Sequence, residues 1–283
     1  MRRATLLLLV GVAFASSSSI LIRGASSHPL VAATYRMGIA AAVMGGLSLW
    51  RHRRLFPHRS SWRDGVPVAA AGLLLGIHFA SWMTSLAHTS IATSVIVVDS
   101  APFVVAGLSA VFFHERLGRE GVIGISLAFI GALAIVAHEV SADIGLRGVA
   151  LAAIGACSLA GYLVIGRGMR SRLPLLPYVS AVYAIAFLFI LCIAASGGYL
   201  SSWPPAGDLV LFAALALGPS CFGHTVYNKV MDVFPATTVS VAIVAEPVGA
   251  SVLAWAFFGE VPGVLVFVGG ALILSGVMLV MRS

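Results

Sequence analysis

His78, Ser81, Trp82 and Ser85 recur at i, i+3, i+4 and i+7, a spacing that places them on one stripe of a helix. Ser220, His224, Tyr227 and Asn228 recur at i, i+4, i+7 and i+8 and make a second stripe. Rings with imidazole, hydroxyl and amide groups beside them can stack on a ring-bearing solute and hydrogen-bond its polar end. The competing role for both stripes is hydrogen bonding and packing between helices. Ser17, Ser18 and Tyr162 are similar in kind; packing is the expected role of the serines, and Tyr162 is the better binding candidate. Asp99, Glu246 and Arg36 differ, because each is an ionisable group within an apolar stretch. At bilayer depth a charge costs about 2.5 to 3.5 kcal/mol on insertion scales, so such groups pair, neutralise or serve a pathway. Asp99 and Glu246 each stand just before a proline, Pro102 or Pro247, whose missing N–H frees a carbonyl and can bend a helix. A bend beside a polar group suits a hinge. Arg36 is expected to snorkel outward, with a carboxylate-holding role second.

Bond-making chemistry finds no assembled set. There is no HExxH pair and no GxSxG elbow, and the eight histidines are scattered. Cys157, Cys192 and Cys221 lack metal-ligand spacing and fall in apolar runs, as packing residues do. No catalytic residue, metal or cofactor is expected.

The elements that position these residues follow from composition. Hydrophobic residues make up 60% of the chain and charged ones 10%, against roughly 25% charged in a soluble domain. The net charge of +7 does not make a nucleic-acid face, because the basic residues sit in short clusters between apolar runs. About 20 apolar residues cross the hydrocarbon, and the chain supplies ten such stretches, at 4–23, 30–50, 66–87, 91–113, 120–138, 147–166, 174–196, 208–231, 236–258 and 262–281. The opening Met1-Arg2-Arg3 and apolar run imitate a secretory signal peptide, but the repeat described next argues against cleavage. With the N-terminus in the cytoplasm, all but Arg23, Arg36 and Arg147 of the 17 basic residues lie on the cytoplasmic side. The positive-inside rule therefore puts both termini there and the loops near Ser141 and Gly198 outside.

Residues 102–131 and 247–276 superimpose without a gap. Pro102 matches Pro247, Phe112-Phe113 matches Phe257-Phe258, Glu115 matches Glu260, Gly124 matches Gly269 and Gly131 matches Gly276, each pair 145 apart. Trp82 and Tyr227 stand at the same separation, and Gly11, Arg23 and Gly24 match Gly155, Arg167 and Gly168 at 144. The expected halves are residues 1–138 and 145–283, five spans each. An odd number of spans makes the second half enter the membrane from the opposite side. Inverted repeats of this kind place a midplane site at their interface and can exchange conformations.

The stretch Ala245-Glu246-Pro247 through Phe257-Phe258-Gly259-Glu260, with its partner Pro102 through Phe113-His114-Glu115-Arg116, resembles the doubled signature of the EamA-type drug/metabolite transporter superfamily. The resemblance covers essentially the whole chain. It implies an all-α integral membrane protein of ten helices, two inverted five-helix repeats around a central cavity lined largely by spans 3, 4, 8 and 9. Within the superfamily the chain is most similar to bacterial aromatic amino acid and metabolite exporters. The expectation is an alternating-access exporter or facilitator of small amphipathic metabolites, aromatic or other hydrophobic amino acids first, in the cell (inner) membrane. Its substrate-binding residues would be His78, Trp82, Ser85, Tyr162, His224, Tyr227 and Asn228, with Asp99, Glu246 and Arg36 as coupling or anchoring groups. Expected partners are the solute and the bilayer, with homodimer and monomer both open. The rivals are a multidrug pump for cations, disfavoured because spans 1 and 6 hold no acid, and an intramembrane enzyme.

Overall fold

The computed structural model describes residues 1–53, 55, 62–115, 117–136, 145–259, 261 and 263–282. Arg54, Arg59, Arg116, Ser141 and Glu260, which carried parts of the orientation and repeat readings, lie outside the described residues. So does the stretch between residues 138 and 144 where the halves were expected to join.

Every regular element among the described residues is helical. In chain order these are α1 (Arg2–Ala15), α2 (Ser17–Arg23), α3 (Pro29–His52), α4 (Trp62–Ser85), α5 (Ile91–Val98), α6 (Ala101–Phe112), α7 (Arg119–Val136), α8 (Leu146–Arg170) and α9 (Leu175–Ser196). There follow α10 (Ala206–Leu215), a π-helical stretch (Ala216–His224), α11 (Thr225–Val230), α12 (Ala236–Ile243), α13 (Glu246–Phe258) and α14 (Val264–Arg282). Joined where they run on, they give nine helical stretches long and apolar enough to cross a membrane, against the ten expected from sequence. Where the fifth was expected stands α7, helical to Val136, the last residue described there.

The molecule is arranged for lipid rather than water. Large apolar side chains such as Trp50, Val210, Phe257 and Phe267 stand exposed, while Arg36, Ser48, Ser94, Ser220 and Asn228 are buried. In water an apolar surface of this extent would drive association; in a bilayer it is the solvated face, and polar groups turn inward.

Local sequence sets where the helices break. The stretches made of α5 with α6 and of α12 with α13 each interrupt just ahead of a proline, at Asp99–Ser100 and at Val244–Ala245, positions 145 apart. A proline near the start of the new helix loses no intrahelical bond, so the break is compatible with helix on both sides. Past Phe112-Phe113 and Phe257-Phe258 the chain leaves the helix through the left-handed region, at His114 (φ 56°) and Gly259 (φ 68°), again 145 apart. Glycine meets no Cβ clash at that helix stop, and histidine must tolerate one. The first stretch breaks at Ser16, whose hydroxyl bonds back to the Val12 carbonyl at 2.8 Å. Its partner under the repeat, α8, runs unbroken.

Three helix pairs make the most extensive contacts: α7 with α14, α4 with α8, and α3 with α9. The first pair meets on glycines. A Cβ added to Gly124 would lie 2.7 Å from the Gly276 carbonyl oxygen, and one added to Gly131 would strike Gly269 as closely. Residue 124 thus faces 276 while 131 faces 269, so the helices run antiparallel at backbone contact.

Candidate functional site

An internal cavity lies where α1 and α2 meet α4, α5, the π-helical stretch and α13. Its volume is about 70 Å³, below the roughly 300–1,000 Å³ of sites that hold a small molecule. Of the residues singled out in the sequence, Arg36, His78, Trp82, Asp99, His224 and Glu246 line it. So does Ser18, expected only to pack, together with Ser16 and Ser19. The break at Ser16 brings this hydroxyl run to the cavity wall.

One wall is aromatic. The His78 and Trp82 rings lie nearly parallel, centroids 5.8 Å apart at 8°, one helical turn apart on α4. His78 Nδ1 lies 2.9 Å from the Gly155 carbonyl of α8. A carbonyl can only accept, so Nδ1 carries the proton and Nε2 is left as an acceptor. Phe79 meets His224 edge to face at 5.2 Å, and His224 meets Tyr227 likewise at 5.7 Å.

Arg36 is placed differently from expectation. It does not snorkel outward: it is 1% exposed and turned into the bundle. Its Nε donates to Ser220 Oγ at 2.9 Å, and its guanidinium lies 4.2 Å from the centroid of the Phe79 ring. A hydroxyl and a ring face offset its desolvation better than the long reach to an interface would. Ser220 belongs to the π-helical stretch, where Pro219 lacks an N–H and the ladder is loosened. The Ser220 carbonyl accepts from the Thr225 N–H and also from the Tyr183 hydroxyl, the latter at 3.0 Å.

Several cavity-lining groups keep a polar atom that is buried and without a hydrogen-bond partner among the described residues: Arg36 Nη1, Trp82 Nε1, Asp99 Oδ2 and His224 Nδ1. Leaving such an atom unpaired costs about 1–3 kcal/mol, more for a charge. Several at one cavity is the signature of a site that awaits a ligand or water.

Four expected binding residues do not reach the cavity surface. The Tyr227 hydroxyl donates to Glu246 Oε1 at 3.0 Å, so Tyr227 stands behind the acid and orients it. Asn228 donates to the His224 carbonyl at 2.8 Å and also to the Tyr162 hydroxyl, tying both into the interior. Ser85 donates to the Trp82 carbonyl at 2.6 Å and bonds Ser94, which fastens α4 to α5. Each spends a polar atom on a neighbouring helix, as helix stripes without competing water permit, while Asn228 Oδ1 has no partner among the described residues. His78 and Trp82 therefore face His224 and Glu246 rather than Tyr227 and Asn228. The prolines Pro102 and Pro247 stand one turn from Asp99 or beside Glu246, at the helix breaks.

A second hollow shares Ser19, Trp82 and Val95 with the first and continues to Arg23, Ser27 and Ala87. Trp82 stands between the cavity and the end of the bundle built by the 24–28 and 86–90 loops. At that end Asp208, at the start of α10, accepts from the Ser27 N–H at 2.7 Å, the Ser26 N–H at 3.1 Å and both serine hydroxyls. At the other end Asp64 pairs more loosely with Arg172, at 3.8 Å. No group of three or more His, Cys, Asp or Glu side chains able to hold a metal is formed among the described residues.

The EamA-like transporter family model matches residues 2–137 and matches again over 146–282. The chain belongs to the EamA-like transporter family. The EamA-like chain is 24% identical over 260 residues to YwfM of Bacillus subtilis (strain 168), an uncharacterized transporter, spanning 90% of this chain and 85% of that protein. It also shares a fold with a solved chain described only as a crystal structure of protein, at a TM-score of 0.84 and 22% identity, over 99% of this chain and 98% of that one. The EamA-like protein is thus a multi-pass membrane transporter, and family and relative both point away from an enzyme.

Sequence reasoning missed Phe79 and Asp208. Phe79 had a usable signal, because it stands 145 residues before His224 and so shares its repeat position. Asp208 shared a repeat position with Asp64, 144 residues before it, but its serine partners lie more than 180 residues away.

Proposed function

We propose that this transporter exports or facilitates small amphipathic metabolites, with aromatic or other hydrophobic amino acids as the leading class. The observation that carries the reading is the parallel His78–Trp82 pair on a cavity wall beside buried groups with unmet hydrogen bonds. A ring-bearing solute gains stacking of about 0.5–1.5 kcal/mol beyond simple burial, and its polar end meets anchors already desolvated.

Alternating access of two inverted halves, residues 1–138 and 145–283, is the mechanism we propose with it. The α7–α14 contact supports it: exchanging the halves at a separation of 145 turns the Gly124–Gly276 contact into Gly269–Gly131, the other contact of the same pair. A contact that maps onto itself is what a two-fold axis between halves requires. The tight Asp208 clamp and the loose Asp64–Arg172 pair stand at corresponding positions, since Asp64 and Asp208 are 144 apart and Ser27 and Arg172 are 145 apart. One latch firm and its counterpart slack is the asymmetry that alternating access needs. We place the protein in the cell (inner) membrane with both termini cytoplasmic, on the distribution of basic residues.

Asp99 and Glu246 on the cavity wall also suit an organic cation, the multidrug reading, but Arg36 on the same wall opposes it. Counterflow in proteoliposomes decides between them. Labelled tryptophan or phenylalanine should exchange faster than threonine and faster than a lipophilic quaternary ammonium. Faster exchange of the quaternary ammonium, with no amino acid moved, would overturn the amino acid reading.

A further inference from the structure

Arg36 and Asp99 are each more than nine-tenths buried, each lines the cavity, and each keeps a buried polar atom without a partner among the described residues. Among the described residues no ion pair joins Arg36 to Asp99 or Glu246, although all three bound one space. Arg36 is held from behind by Ser220 and Phe79, so its guanidinium is positioned rather than free to swing. Glu246 is held by the Tyr227 hydroxyl. A guanidinium and two carboxyl groups are thus held at one cavity, with no ion pair between them among the described residues.

We propose that the cavity reads a solute by both of its charged ends: Arg36 takes a carboxylate, and the Asp99 and Glu246 side takes an ammonium. The proposal rests on the amino acid reading above and narrows it to zwitterions. An anion alone would satisfy Arg36 and leave the acids facing it. A cation alone would satisfy the acids and leave Arg36 Nη1 buried and unpaired. A solute carrying both groups gives Arg36 a carboxylate and the acids an ammonium at once, so neither side of the cavity is left without a partner, and an unmatched buried charge is the costliest outcome available. Guanidinium also matches carboxylate geometry through parallel N–H donors. The Trp82 N–H and His224 Nδ1, both without partners, give the same solute further polar contacts, and the His78–Trp82 rings take its side chain.

The full-length protein in proteoliposomes is tested with labelled phenylalanine, leucine, phenethylamine and 3-phenylpropanoate, the last two lacking the carboxylate and the amine. Phenylalanine should exceed both truncated solutes about tenfold or more in exchange rate, the scale on which losing one partner of a buried charge pair is felt. Arg36→Gln should lose phenylalanine exchange while gaining phenethylamine relative to wild type; Asp99→Asn should shift toward 3-phenylpropanoate instead. Arg36→Lys, which keeps the charge, should retain part of the phenylalanine exchange and guards against a loss caused by misfolding alone. Opposite shifts in the two variants cannot come from a common folding defect. Equal exchange of phenylalanine and phenethylamine would overturn the proposal and leave the aromatic reading standing. Exchange of leucine but not phenylalanine would leave the zwitterion standing and remove the preference for rings. Failure of every zwitterion while a truncated solute moves would overturn both.

Discussion

At the scale of single residues, Trp82 and Tyr227 share a repeat position but not a role. Trp82 presents its ring to the cavity and its indole N–H has no partner among the described residues, whereas Tyr227 is fully buried and donates to Glu246. Trp82→Ala should therefore reduce exchange of tryptophan by about three- to tenfold more than exchange of threonine, the worth of a ring stack. Counterflow at matched protein content measures the ratio, and equal losses would make Trp82 a packing or gating residue. Tyr227→Ala would open a void against Gly11, whose added Cβ would lie 3.1 Å from the Tyr227 ring, and would cost about 3–5 kcal/mol of stability. Tyr227→Phe is the cleaner change. It removes one hydrogen bond, keeps the ring, and should slow exchange of all amino acids several-fold with melting in detergent nearly unchanged. A selective effect on aromatic solutes would instead put the Tyr227 ring in the path.

At the scale of elements, the repeated glycines and prolines do different work. Gly124 sets the approach of α7 to α14, and a Cβ there meets the Gly276 carbonyl oxygen and the Val280 side chain, both at 2.7 Å. Gly124→Val should lower stability by about 1–3 kcal/mol, the range for overpacking, read as a lower melting temperature. Gly276→Val should do the same, because its added Cβ meets Gly124. An unaltered melting temperature in both would mean that the two helices separate freely. Pro102 and Pro247 instead mark where two helices are already broken, at repeat-related positions beside Asp99 and Glu246. Replacing either with alanine restores an N–H and favours a continuous helix by up to about 3 kcal/mol. Each variant should keep its folded yield and slow exchange, and full-rate exchange in both would show that the breaks do not move.

At the scale of the whole molecule, the two halves meet through contacts that no single helix contains. Asp208 of the second half holds the Ser26–Ser27 turn of the first through two backbone N–H groups and two hydroxyls. Asp208→Ala should leave those donors free, raise proteolysis or hydrogen exchange in residues 24–28, and speed labelling of a cysteine placed at Ser19 from that end. Unchanged labelling would make the clamp a static staple.

Much of this was legible along the chain. The lipid-facing composition, the apolar stretches, the repeat at 145 and the breaks at both prolines are local or periodic properties, and a helix in lipid closes its own hydrogen bonds, so the segment alone determines it. The family signature belongs to the same level. Tertiary structure decided which face of each stripe looks into the cavity. On α4 and along the π-helical stretch the sequence offers equivalent polar rings, and nothing in it says that Asn228 turns to Tyr162 and Tyr227 to Glu246 while His78 and Trp82 stay open. Arg36 shows the reason most plainly. Whether a buried cation snorkels or turns inward depends on what neighbouring helices offer, here Ser220 from 184 residues away and the ring of Phe79, and those partners exist only once the helices have packed.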